Sequence, residues 1–134
     1  MLNENRATLS RYRVEQARKC REAALVLVEA DAYNDAANRS YYCIFHAMRA
    51  VLAIDGFDSK KHTGIISAFR QNYIKTSIFP PEFSDIIRDA FNIRGGSDYE
   101  DFFIVSKDEV LQQIENAKIF LEALEDYLNT IFKK

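Results

Sequence analysis

Between residues 35 and 49 the chain carries Asp35, Asn38, Arg39, Tyr42, His46 and Arg49 at helical spacing. These are side chains suited to phosphate chemistry. An arginine offers a rigid fork of donors to a phosphate, and a histidine exchanges a proton near neutral pH. At about 100° per helical residue these six fall within one arc of roughly 100°, whereas Ala37, Tyr41, Ile44, Met48, Val51 and Leu52 occupy the rest of the wheel. Arg39 and His46 nearly eclipse each other two turns apart. Two readings are open: a solvated face with Asp35 and Arg39 as a surface pair, or one wall of a groove holding a phosphate or a base.

A second group lies further along the chain. Phe83, Ile86, Ile87 and Ala90 share a helical face with Arg94, while Asp85, Arg88, Asp89 and Asn92 point away. An inward guanidinium is costly without partners, so Arg94 should meet a carboxylate, carbonyls or a phosphate-bearing ligand, with Asp98 the nearest carboxylate. Gly95-Gly96 is expected to break the helix there, leaving Ser97, Asp98, Tyr99, Glu100 and Asp101 as a polar corner. An Arg94 to Asp98 staple would serve that corner equally well. Lys60-Lys61-His62 is either a solvated basic loop or the rim of a groove.

The elements that must position these groups read as helices from end to end. Four glycines and two prolines are few for an all-β protein. A first helix is expected from about Ser10 to Ala30 and a second from Tyr33 to Ile54, antiparallel across a turn at Asp31. Thr63 could cap a shorter helix that buries Ile65, Ile66, Phe69 and Tyr73. Pro81 suits the first turn of a fourth helix ending near Arg94. Ser106 and Glu109 have capping-box spacing, and Val110, Ile114, Ala117, Leu121, Leu124, Leu128 and Ile131 then repeat at fours and threes. The expected fold class is all-α: an up-and-down antiparallel bundle of four main helices plus a short extra one, formed by residues 1–134 as a single domain.

Composition narrows the function. At 134 residues, 48% apolar and 28% charged, the chain has the make-up of a soluble globular protein. Its net charge of −2 disfavours broad contact with duplex DNA, so any nucleic-acid contact should be local. No apolar run approaches the roughly 20 residues of a membrane span, and a cytoplasmic protein is expected. Cys20 and Cys43 lack metal-ligand or CxxC spacing and read as buried free thiols. Six basic residues fall in positions 1–21 and nine acidic ones in 98–126, an asymmetry able to steer a partner or a second copy.

Four ordered segments resemble the HEPN domains (higher eukaryotes and prokaryotes nucleotide-binding), in their small stand-alone bacterial and archaeal branch. They are Ala36 to His46, then Lys61-His62-Thr63-Gly64-Ile65-Ile66 with Phe69, then Arg94 with Ser97-Asp98-Tyr99, and Ala117 with Phe120-Leu121. The resemblance implies a bundle that is usually dimeric and works beside a minimal nucleotidyltransferase in toxin and antitoxin pairs. It also implies, for many members, a metal-independent ribonuclease whose Arg, four to six intervening residues and His hold phosphate and move a proton. No cofactor or metal is implied.

The chain departs from that motif at its decisive place. After Arg94 the permitted histidine positions hold Tyr99, Glu100 and Asp101, while Arg39 and His46 meet the spacing on a different helix. Three functions therefore stand. The first is a module binding RNA or a nucleotide through Arg39, Tyr42, His62, Arg94 and Tyr99, partnered by a nucleotidyltransferase. The second is a ribonuclease toxin using Arg94, with Asp98, His46 or His62 moving the proton. The third is a helical interaction protein without a nucleotide site. The resemblance also makes Tyr99 a candidate for adenylylation by the partner, and Phe102, Phe103 and Ile104 beside the glycine corner are expected at a homodimer interface.

Overall fold

The second helix lies at the centre of the molecule because its circumference outside one polar stripe is apolar. In the structure, a computed structural model describing residues 3–133 and only the backbone of Asp98, five α-helices follow in order. They are α1 (Glu4–Glu29), α2 (Tyr33–Ile54), α3 (His62–Phe69), α4 (Glu82–Tyr99) and α5 (Lys107–Phe132), with a π-helical turn at Arg70–Ile74 extending α3. The described residues contain no strand, so the all-α bundle is the observed fold. α2 packs against α1, α3, α4 and α5. Ala36, Ala37, Ala47, Ala50 and Ala53 are all buried on it, and Ala17 and Ala24 are buried on α1. Small side chains on both helices let the two axes approach closely.

Both ends of α2 are set by reversals that satisfy terminal carbonyls. After α1, Asp31 adopts φ 58° while its N–H bonds to Val28 O and the Ala32 N–H to Leu27 O. After α2, Gly56 adopts φ 75°, its N–H bonding to Ala53 O and the Phe57 N–H to Leu52 O. Each is a Schellman closure, and glycine at the second avoids the Cβ clash of left-handed backbone. The polar residues on the inner face of α1 also bind to α2. Ser10 Oγ donates to Ala50 O at 2.7 Å and Arg13 Nη1 to Arg49 O at 3.1 Å.

Three expected boundaries shift. α1 begins at Glu4 rather than Ser10, because Asn3 accepts from the N–H groups of Asn5 and Arg6 and so caps a helix six residues longer. α3 begins at His62, with no side chain capping it, so Thr63 lies inside the first turn. α4 does not break at Gly95-Gly96 and continues to Tyr99. Two helical glycines cost about 1 kcal/mol each relative to alanine, but at Gly96 the missing Cβ has a use. A Cβ there would lie 2.5 Å from Phe103 Cε2, so the glycine admits that ring against the helix.

The core has two parts. The larger one gathers α2 residues with Phe69, Tyr73, Phe79, Phe83, Ile87, Phe120, Leu121, Leu124 and Leu128. The smaller one, at the α1–α2 turn, joins Ala24, Val28, Ala36 and Ala37 to Val105, Val110 and Ile114. Asn34 fastens the connection before α5 across this end, donating to Phe103 O at 2.8 Å and accepting from the Val105 N–H at 2.9 Å. The capping box of Ser106 and Glu109 is formed. Cys20 and Cys43 are buried free thiols. Part of the charge asymmetry is spent inside the chain, since Arg18 on α1 grips both carboxylate oxygens of Glu125 on α5 at 3.1 and 2.8 Å.

Candidate functional site

The polar stripe of α2 is neither fully solvated nor buried: Asn38, Arg39, Tyr42, His46 and Arg49 are each half-buried on a helix whose other faces are covered. α3 and α4 flank it and bring two more groups. Arg94 of α4 points its Nη2 at the Tyr42 hydroxyl, 3.2 Å away, and its guanidinium carbon lies 5.4, 5.6 and 5.6 Å from the ring centres of Tyr41, Tyr42 and Tyr99. Rings facing a cation this way attract it through their quadrupoles. Arg94 is thus turned toward α2, as the wheel requires. The Asp98 carboxylate expected to pair with it lies outside the described residues.

His62, the first residue of α3, belongs to the same cluster. Its ring stacks on Phe45 at 4.3 Å and its Nδ1 is 2.8 Å from the Tyr41 hydroxyl. Burial raises the Tyr41 pKa, so its oxygen keeps its proton. Tyr41 therefore either donates to Nδ1, leaving Nε2–H as a donor, or accepts from Nδ1–H, leaving Nε2 as a base. Desolvation, followed by repulsion from Arg94 and Arg49, lowers the His62 pKa from its ordinary value. The histidine that feels Arg94 is therefore the one at the mouth of α3. The basic loop ends in a half-buried imidazole rather than in a solvated run.

His46 has different neighbours. Desolvation first, then Arg49, Arg39 and Arg13, pushes its pKa down to about 4, so it is neutral at physiological pH. Its Nδ1 is buried and has no hydrogen-bond partner among the described residues. Arg39 does not pair with Asp35; its Nε and Nη2 hold Asn38 Oδ1 at 3.2 and 2.9 Å, and its guanidinium lies 5.0 Å from the Tyr42 ring centre. Tyr42 thus meets two arginines, Arg39 from its own helix and Arg94 from α4.

Tyr99 stands at the last turn of α4, 76% exposed, with the Arg94 guanidinium over its ring. Beyond it Phe102 and Ile104 are exposed, while Phe103 packs on Gly96. A cleft of about 460 Å³ between α3, the π-helical turn and α4 borders the cluster through Thr63 and Phe91, the latter edge-on to Tyr41 at 6.1 Å. No group of three His, Cys, Asp or Glu side chains among the described residues could hold a metal ion.

Four of the sequence candidates, Tyr42, His62, Arg94 and Tyr99, are brought together. Arg39 joins them through the Tyr42 ring, and His46 is set apart among other arginines. Sequence reasoning assigned Tyr41 to the apolar face and gave Phe45 no role, although their rings floor the site. It also passed over Asp58, which accepts from both Arg13 and Arg49. Asp58 in a loop and Arg13 on another helix leave no spacing signal. The aromatic run Tyr41-Tyr42-x-x-Phe45, with three rings on adjoining faces, was the available one.

The HEPN domain profile matches residues 10–127. Among the chains this one resembles is a protein of Methanocaldococcus jannaschii named "Putative toxin", 31% identical over 86% of this chain and 78% of its own length. A second such protein of that organism is 30% identical over 88% and 87%. A protein of Thermotoga maritima described only as a UPF0332 protein is 28% identical over 97% and 98%. No helix among the described residues is long and apolar enough to cross a membrane.

Proposed function

The chain belongs to the HEPN domain family, and on that premise we propose that it is a toxin-like module that recognises a phosphate of RNA or of a nucleotide between α2, α3 and α4. The observation that carries this reading is the meeting of Arg94 with the Tyr42 hydroxyl beside His62, on a floor made by the buried rings of Tyr41 and Phe45. The guanidinium supplies charge and paired donors for the phosphate, His62 Nε2 supplies or takes a proton, and Tyr42 and Tyr99 offer faces on which a base stacks. Arg39, over the Tyr42 ring as well, extends the cationic wall.

Cleavage is the second reading. It is favoured by His62, which replaces the histidine missing after Arg94. The Tyr41 contact orients its ring, and desolvation followed by the Arg94 charge lowers its pKa, so the neutral base is populated at pH 7. A ribonuclease built this way would use Arg94 to stabilise the phosphorane charge and His62 to move the proton of the 2′-hydroxyl. His46 is poorly suited to that role, being a weak base among three arginines.

The toxin names of two relatives support a protein antitoxin as partner, and a nucleotidyltransferase fits the exposed Tyr99. Its phenol oxygen would attack the α-phosphate of ATP, lose its proton and release pyrophosphate. The adenylyl phosphate would then lie next to Arg94 and compete with RNA for it. Exposed Phe102 and Ile104 beyond the end of α4 are the apolar edge on which a second copy would pack.

The experiment compares binding of a short oligoribonucleotide by the parent, Arg94→Ala and Arg88→Ala. Arg88 is exposed and pairs with Asp85 and Asp89, so its loss should leave affinity nearly unchanged. The Arg94 variant, verified as folded, should bind at least about tenfold more weakly. Equal binding by the two variants would refute the site.

A further inference from the structure

A single carboxylate on the loop between α2 and α3 sits between two arginines. Asp58 Oδ2 accepts from Arg13 Nη2 at 3.1 Å and from Arg49 Nη2 at 3.3 Å. Its other oxygen takes the Ser59 N–H. One negative charge against two leaves the cluster cationic, and Arg39 and His46 stand close by on the same stripe of α2. The cations are built in and the anion is not. Arg13 is a side chain only 8% exposed, held to Arg49 O by its Nη1, and both arginines are on long helices; Asp58 is 53% exposed on a loop that leaves α2 through Gly56 at φ 75°.

The cluster also holds polar atoms that Asp58 does not reach. Arg49 Nε and His46 Nδ1 are buried and find no hydrogen-bond partner among the described residues. A buried donor left unmade costs about 1–3 kcal/mol, a cost that a ligand with more acceptor oxygens would remove. A phosphate has more negative charge than a carboxylate, and its tetrahedral oxygens can take donors from several directions at once. Arg13 would keep its place when the carboxylate leaves, because its bond to the α2 backbone does not involve Asp58.

We propose that Arg13 and Arg49 form a phosphate-binding subsite that the Asp58 carboxylate occupies as a replaceable internal anion. The subsite lies two turns along α2 from Tyr42, about 10 Å from the Arg94 contact, and exists independently of whether RNA binds there. Displacing Asp58 would also release the loop that leads directly into His62.

The test measures binding of inorganic phosphate by calorimetry, against chloride at equal ionic strength so that general screening cancels. Asp58→Asn removes the internal competitor and should bind phosphate about tenfold or more tightly than the parent. Arg49→Gln in the Asp58→Asn background should abolish the gain, and Arg94→Ala in that background should keep it. An Asp58→Asn protein that binds no better than the parent overturns the subsite, as does a gain that disappears with Arg94. Because the loop substitution could loosen the fold, the His46 ring resonances give a second readout. They should move with added phosphate in the parent, at lower concentration in Asp58→Asn, and His46 signals indifferent to phosphate in both proteins would also overturn it. A gain shared by an oligoribonucleotide without terminal phosphates assigns the subsite to a backbone phosphate; a gain confined to inorganic phosphate assigns it to a free or terminal one.

Discussion

Two aromatic clusters of this bundle use the same kinds of side chain to opposite ends. Where α3, the π-helical turn and α5 meet, Phe69, Tyr73, Phe79, Phe83, Phe120 and Tyr127 stack with ring centres 5.1–6.2 Å apart. Of the two hydroxyls there, that of Tyr73 is closed off, since it donates to Asp55 Oδ2 at 2.5 Å. Where α2, α3 and α4 meet, Tyr41, Tyr42, Phe45 and His62 pack just as closely, but two arginines face Tyr42 and an imidazole nitrogen is left for solvent or ligand. Packed rings alone are therefore no sign of a site. The sign is a cluster whose polar groups are held in place while retaining hydrogen-bonding capacity.

The sharpest way to break this comparison is to remove a ring from each cluster. Phe120→Ala should cost about 3–5 kcal/mol, the usual cost of an emptied aromatic core position, and leave oligonucleotide binding per folded molecule intact. Tyr42→Phe should cost at most about 1 kcal/mol of stability by losing one part-buried hydrogen bond, yet weaken binding. Denaturant melts and affinity measurements check both. If Tyr42→Phe binds normally, the second cluster is core like the first.

Acid probes the polar side of the contrast. The folded His46 pKa is about 4 against an ordinary 6.5, so between those values the unfolded chain binds a proton that the folded one refuses. Stability should therefore fall as pH drops from 6.5 to about 4, and this contribution should level off below. His46→Gln should flatten that part of the profile in thermal melts across pH. A parallel profile for parent and variant would mean that the arginines around His46 are not felt.

A smaller effect separates a helix break from a packing glycine. Gly96→Ala should destabilise by about 1–3 kcal/mol because its Cβ meets the Phe103 ring, whereas Gly95→Ala, whose Cβ meets nothing within 4 Å, should be neutral or stabilising. Equal effects in denaturant melts would contradict the assignment.

The helices were legible because their signals are local: the capping box at Ser106, the prolines before α4, the three-four repeat of α5. The inward turn of Arg94 was legible for the same reason. The continuation of α4 through Gly95-Gly96 was not, because the partner that makes a small residue useful, Phe103, comes seven positions later and only packing brings it back. His62 was ambiguous as a loop residue, its role depending on Tyr41 of another helix. Asp58 had no pattern at all, since its partners come from α1 and α2 and meet it only in the folded chain.

The most direct test of the account follows the His62 imidazole by NMR while an oligoribonucleotide is added, the chain having only two histidines to assign. Desolvation and the Arg94 charge hold its pKa down in the free protein. A phosphate on Arg94 would offset that charge and itself favour the imidazolium, so the His62 pKa should rise on binding. Bound RNA that leaves the His62 pKa where it was would place the phosphate elsewhere and contradict the site.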